Sequence, residues 1–267
     1  MESGYVSNDV CDIYFESHGT GASILFLHAG VADSRMWRNQ LQIEGHRSVV
    51  FDQRGFGKSK WVSGPYANRA DAIAVLDHLG IDSAVVVGCS NGGETAMQLA
   101  LTAPDRVAGL VLVGAAPRGW EPAGGWTSNP LWDEAVAAFE SGDIETVVDL
   151  DAQLWLAGAG RSLDEMEGEM LDLFRDMDRT PAATETERNQ HIQTLEPPTN
   201  EQLDLIDRPT LVVVGDRDEP DLIVAAHYLA DRLSDREAVL IEDAAHLPSL
   251  EQPESFNTAL GGFLATI

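Results

Sequence analysis

Apolar residues along the chain fall into short runs separated by segments of helical spacing. The runs "SILFLHAG", "RSVVFDQRG", "SAVVVGCS", "VAGLVLVGA", "RPTLVVVGD" and "EAVLIEDAA" are rich in β-branched residues and end in small or polar ones, the signature of strands buried on both faces. Between and after them, "YANRADAIAVLDHLG", "GGETAMQLALTAPDR", "DLIVAAHYLADRL" and "PESFNTALGGFLATI" repeat apolar residues at helical intervals. Strand and helix alternating in this way predict an α/β fold with a parallel sheet covered on both faces. In such sheets chemistry collects at the carboxyl ends of the strands.

One interval breaks the alternation. Residues 117–205 contain no convincing strand, but "NPLWDEAVAAFESGD", "ETVVDLDAQLWLAG" and "SLDEMEGEMLDLFRDMDRT" have helical patterns. The reading is a helical lid (117–205) inserted after the sixth strand into a core built from residues 1–116 and 206–267. There is no internal repeat and no low-complexity linker, so core and lid belong to one folded unit.

The stretch "AVVVGCSNGGETAMQLA", Ala84 to Ala100, passes from strand to helix without a connector. The chain must turn sharply at Ser90, and Gly88, Gly92 and Gly93 supply the small side chains that such a turn requires. A serine there either caps the helix or is a nucleophile, and a nucleophile needs a histidine base and a carboxylate to orient it. Downstream, "LVVVGDRDEP" puts Asp216 and Asp218 just past one strand, and "LIEDAAHLPSLEQPESF" puts His246 just past the next. Either aspartate could serve a loop this short. Glu242 and Asp243 lie too close to His246 in sequence to reach its ring. His18, His46, His78, His191 and His227 have no motif around them and read as structural.

Composition narrows the partners. The 267 residues carry 44 Asp plus Glu against 17 Lys plus Arg, a net charge of −27, and Lys58 and Lys60 are the only lysines. Such a surface excludes nucleic acid as a partner and is of the kind seen in high-salt proteins. No apolar stretch approaches a membrane span and the N-terminus has no basic, apolar signal pattern, so a cytoplasmic protein is expected. Cys11 and Cys89 are the only cysteines and are expected to stay reduced, Cys89 as a small apolar filler pointing away from Ser90. No metal-ligand spacing is present and no cofactor is expected.

With the order Ser, Asp, His in place, the chain resembles the α/β-hydrolase family, whose nucleophile, acid and histidine follow the fifth, seventh and eighth strands. The resemblance implies a mostly parallel twisted sheet of about eight strands. The family's acid commonly stands three residues after a strand-ending glycine, which points from Gly215 to Asp218. Its histidine commonly opens a run like "HLPSLEQPESF", which points to His246. "FDQRGFGKS" resembles a structural turn of the family, and "FLHAGVADSRMW" its oxyanion loop, with Ala29 where a glycine is usual. The implied oxyanion donors are the N–H groups of Asn91 and Gly30, while His28 orders its loop. Serine at position 90 sets the chain apart from the haloalkane dehalogenases and epoxide hydrolases, which use aspartate.

The implied mechanism is acyl transfer from a carboxylic ester or lactone to Ser90, followed by hydrolysis. Carbon–carbon bond hydrolases, haloperoxidase-like hydrolases and hormone-receptor members share the same apparatus, and the fold does not choose among them. The expected partner is a small molecule. The interval 117–205 holds 20 acidic and 5 basic residues, whereas Trp126, Leu131, Trp132, Trp155, Leu156, Met166, Met170 and Phe174 offer an apolar underside for a neutral substrate. A substrate carboxylate would instead require an arginine, for which Arg35, Arg118 and Arg161 are the candidates.

Overall fold

The computed structural model describes residues 1–8, 10–234 and 238–267. Eight strands form one sheet in the order β1-β2-β4-β3-β5-β6-β7-β8. The six apolar runs supply β3 (Ala22–Leu27), β4 (His46–Phe51), β5 (Ala84–Cys89), β6 (Val107–Val113), β7 (Thr210–Gly215) and β8 (Val239–Ile241), all mutually parallel where they pair. Two further strands, β1 (Glu2–Asn8) and β2 (Cys11–Gly19), lie in the N-terminal stretch to which no strand was assigned from sequence. They pair antiparallel, and β2 docks antiparallel on β4.

Alternation within the strands divides the core. Leu25 and Leu27 of β3 and Val86 of β5 face one side. There they meet α1 (Asn68–His78), α2 (Asn91–Thr102) and α6 (Pro220–Leu233). Ile24, Phe26, Val85 and Val87 face the other, where Trp37 and the C-terminal α8 (Pro253–Leu264) close the layer. The short α7 (Pro248–Glu251) leads into α8. Each of these strand side chains is thus removed from water, contributing on the order of 1.5–3 kcal/mol.

Between β6 and β7 the chain is helical throughout its regular parts: α3 (Pro130–Ser141), α4 (Ile144–Asp151), a π-turn over Ala152–Ala157 and α5 (Gly168–His191). Two local expectations are corrected. "SLDEMEGEMLDLFRDMDRT" does not begin as a helix at Ser162, since a short 3₁₀ turn over Leu163–Glu165 precedes α5. The helix also runs on past Thr180 through Pro181, a residue with no N–H to give to the preceding turn. Among the described residues, no helix is long and apolar enough to cross a membrane.

Candidate active site

Ser90 stands between β5 and α2 with φ 53° and ψ −116°, a conformation that costs a non-glycine residue on the order of 1–3 kcal/mol. Its N–H donates to Val113 O on β6 at 2.9 Å, which fixes the turn to the sheet. A Cβ built on Gly92 would lie 2.2 Å from Leu27 O, and one on Gly88 2.2 Å from Gly92 O. The start of α2 therefore sits directly on the strand ends, and only hydrogen fits in the gap.

His246 follows β8 and is buried, with Nδ1 3.0 Å from both Oδ1 and Oδ2 of Asp218. The Glu219 N–H donates to Asp218 Oδ1 at 2.8 Å. Nε2 is therefore the ring nitrogen left for the cavity that His246 and Ser90 both line. The Ser90 hydroxyl makes no hydrogen bond to the ring in this structure, and serine–histidine contacts in unliganded hydrolytic sites are often long. Gly114, at φ 52°, makes room for the pair: a Cβ there would lie 2.9 Å from Asp218 Oδ2 and 3.0 Å from His246 Nδ1. Asp216 is exposed and its N–H bonds Ile241 O, while Asp243 pairs with Arg217. Neither touches the imidazole.

The His28 loop is held from below. Nδ1 bonds Ala29 O at 2.8 Å and Nε2 accepts from the Gln53 N–H at 2.9 Å, so the ring is neutral, and burial lowers its pKa further. In the "FDQRGFGKS" turn, Asp52 accepts from the Ser34 and Lys58 N–H groups, and Arg54 pairs with buried Asp71. Gly30 and Asn91 both line the cavity, and a Cβ on Gly30 would stand 3.9 Å from Asn91 Cβ. Among the described residues neither backbone N–H has an acceptor in the chain, so two adjacent donors are available there.

The clamp on the histidine loop went unread in the sequence. Glu251 accepts from the N–H groups of Ala245 and Leu247, on either side of His246, and pairs with Arg161 at 2.8 Å. The Trp155 ring lies against the His246 ring, tilted by 42° with centroids 4.5 Å apart, and the Trp155 carbonyl accepts the His246 backbone N–H. Cys89 is buried and turned from the cavity, its thiol donating to His246 O, and burial pushes its pKa well up. Cys11 and Cys89 are both free thiols.

Glu251→Ala should leave the N–H groups of Ala245 and Leu247 unmatched and take from Arg161 its carboxylate partner, though three backbone carbonyls still accept from the guanidinium, at a cost of about 3–5 kcal/mol, read as a lower thermal midpoint. Burial pushes Glu251 up to about 7 from its ordinary 4.5. An acid raised in the folded state contributes stability that is complete below its unfolded pKa and lost as pH rises through the folded one. Glu251→Gln should therefore flatten the decline in stability from pH 5 to pH 8, measured by denaturant titration at each pH.

The cavity measures about 570 Å³. One wall, from α3, α4 and the π-turn, is largely apolar, with Trp132, Val136, Phe139 and Trp155. The other, from α5, is mainly polar. The apolar underside expected of the inserted helices is thus only half present. Of the eight residues named for it, Trp132 and Trp155 line the cavity. Leu156, Met166, Met170 and Phe174 pack into the core, Trp126 is largely exposed against Trp120, and Leu131 stands off the lining. The arginine candidates are also corrected. Arg35 pairs with Asp33 and Asp176, Arg161 with Glu251, and Arg118 lies outside this cavity, whereas Arg188 lines it.

Residues 22–253 match the sequence model described as alpha/beta hydrolase fold. The RutD protein of Azorhizobium caulinodans, which carries a provisional carbamate hydrolase name, is 30% identical over 98% of both chains. The 3-oxoadipate enol-lactonase 1 of Acinetobacter baylyi is 25% identical, over 92% of this chain and 89% of its own. Among solved structures, Est816, described as an N-acyl homoserine lactone degrading enzyme, superposes with a TM-score of 0.79 at 30% identity, covering 97% of this chain and 100% of its own. With the family model spanning most of the sequence, the chain belongs to the α/β-hydrolase family of enzymes.

Proposed function

We propose that the chain is a serine hydrolase that cleaves a small, neutral carboxylic ester or lactone through an acyl-enzyme on Ser90. The observation that carries the reading is the strained Ser90 elbow opening on the same cavity as a histidine already oriented by Asp218. In this reading His246 Nε2 takes the Ser90 proton as Oγ attacks the acyl carbon. Asp218 keeps Nδ1 protonated and stabilises the imidazolium, and the N–H groups of Asn91 and Gly30 receive the oxyanion. His246 then returns the proton to the leaving oxygen and activates water against the acyl-enzyme. The helices of residues 117–205 act as a lid, shielding the acyl-enzyme from bulk water. The lactonase side of the reading draws support from relatives whose names describe lactone cleavage.

An aryl phosphonate tests it. One equivalent should bind covalently per chain, on the peptide containing Ser90, and labelling should be lost with His246→Ala. A panel of aryl esters and γ-lactones should show turnover that the phosphonate stops. Absence of both labelling and turnover would overturn the assignment.

A further inference from the structure

The inner face of α5 is unlike the rest of the cavity. Asp178, Pro181, Ala182, Glu185, Arg188 and Ile192 recur at helical intervals and all line it, so a single face of one helix makes the wall. Asp178 is 1% exposed and stands within hydrogen-bonding reach of Asp151, at the end of α4. Two carboxylates this close hold a proton between them, and burial pushes Asp151 up to about 6 and Asp178 well above its ordinary value. No donor among the described residues reaches Asp178 Oδ2.

Arg188, from the same face, is 7% exposed. Its Nε donates to Thr184 Oγ1, its Nη2 to Pro181 O, and its guanidinium lies 4.2 Å from the centroid of the Phe56 ring. These contacts draw the head group back along the helix toward Asp178. Among the described residues Nη1 has no acceptor and no carboxylate comes within ion-pair distance of Arg188. Arg188 Nη1 is thus a donor left to the cavity, and Asp178 Oδ2 is a buried acceptor without a donor, which is costly unless matched.

Glu185, the third carboxylate on this wall, is exposed and screened by water, so the buried charges select the ligand. The carboxyl pair carries one negative charge while it shares its proton, and Arg188 carries one positive charge, so the buried groups sum to zero. A carboxylate or an ammonium brought between them would leave an uncompensated charge beside buried groups. A group that accepts at one end and donates at the other leaves none.

We propose that the α5 wall is a recognition subsite for a neutral amide-type group, N–H beside C=O, in the part of the substrate that does not react. The carbonyl accepts from Arg188 Nη1 and the N–H donates to the Asp151–Asp178 pair, while the apolar wall receives the hydrocarbon. The assignment rests on the hydrolase reading above and adds the chemistry that its cavity selects.

The test compares an ω-acetamido acyl p-nitrophenyl ester with a branched alkyl ester of the same shape, and with ω-carboxylate and ω-ammonium analogues. The amide should exceed its alkyl isostere about tenfold or more in kcat/KM, chiefly through KM, since buried polar groups left unpaired penalise the isostere. Arg188→Met and Asp178→Leu, each checked for fold by circular dichroism, should bring the amide-to-alkyl ratio to about one. Should one variant fail to fold, the other carries the comparison.

Binding of N-hexylacetamide to the Ser90→Ala protein, read by calorimetry, separates this proposal from the hydrolase reading because it needs no turnover. Binding should weaken about tenfold with Arg188→Met added. An amide preference absent in the parent, a ratio unchanged in the variants while both rates fall, or a charged analogue preferred to the amide would each overturn the proposal. Absence of turnover in the parent protein with amide binding intact would overturn the hydrolase reading and leave the subsite standing.

Discussion

Replacing Ser90 with alanine is expected to lower ester and lactone hydrolysis by at least about 10³-fold while the protein stays folded. The side chain at this position contributes little packing. The turn is held instead by the Ser90 N–H bond to Val113 O and by the contact of Gly92 with Leu27, neither of which involves the hydroxyl. Alanine accepts the same backbone at similar strain, so the thermal midpoint should shift by no more than a few degrees. His246→Ala should cost about as much as Ser90→Ala, and the double variant little more than either, because nucleophile and base act as a unit. A Ser90→Ala protein, free of contaminating hydrolase by mass spectrometry, that retained the parent kcat would remove the nucleophile from the proposal.

Asp218→Asn is expected to reduce kcat by roughly 10⁴-fold, against a change of less than about twofold for Asp216→Asn. An amide at position 218 would offer an N–H to Nδ1 and hold the ring with its proton on Nε2, the nitrogen that must accept from Ser90. The two aspartates differ by two residues and by their surroundings. Asp218 is 1% exposed and bonded to His246, whereas Asp216 points into solvent with its backbone tied to Ile241. The reverse pattern of kinetic effects would reassign the acid.

The elbow and the chain order of its partners were legible because their constraints are local. A strand that becomes a helix within one residue demands glycine at Gly88 and Gly92 whatever the remainder of the chain does. The β1–β2 hairpin was not legible. Its strands alternate polar and apolar residues over the sheet edge, and "ESGYVSN" lacks the continuous apolar run that marked the central strands. Glu251 was hidden for another reason: an acid in "HLPSLEQPESF" looks like helix-start charge, and only the folded loop returns the N–H groups of Ala245 and Leu247 to it. Arg188 and Asp178 sit among the solvent-facing charges of an acid-rich helix. Which of those charges turns inward depends on the packing of α4 against α5, information absent from the local pattern.

Much of the cavity's polar lining, Asp178, Glu185, Thr186, Arg188 and Asn189, lies on one continuous helix, which has an evolutionary consequence. The elbow, the histidine loop and the Gly30 loop come from β5, β8 and β3, distant in the chain and locked to the sheet, whereas residues 178–192 form a single contiguous segment. One short stretch of coding sequence can therefore be recombined between relatives, changing the chemistry of that wall while the sheet-bound machinery is inherited intact.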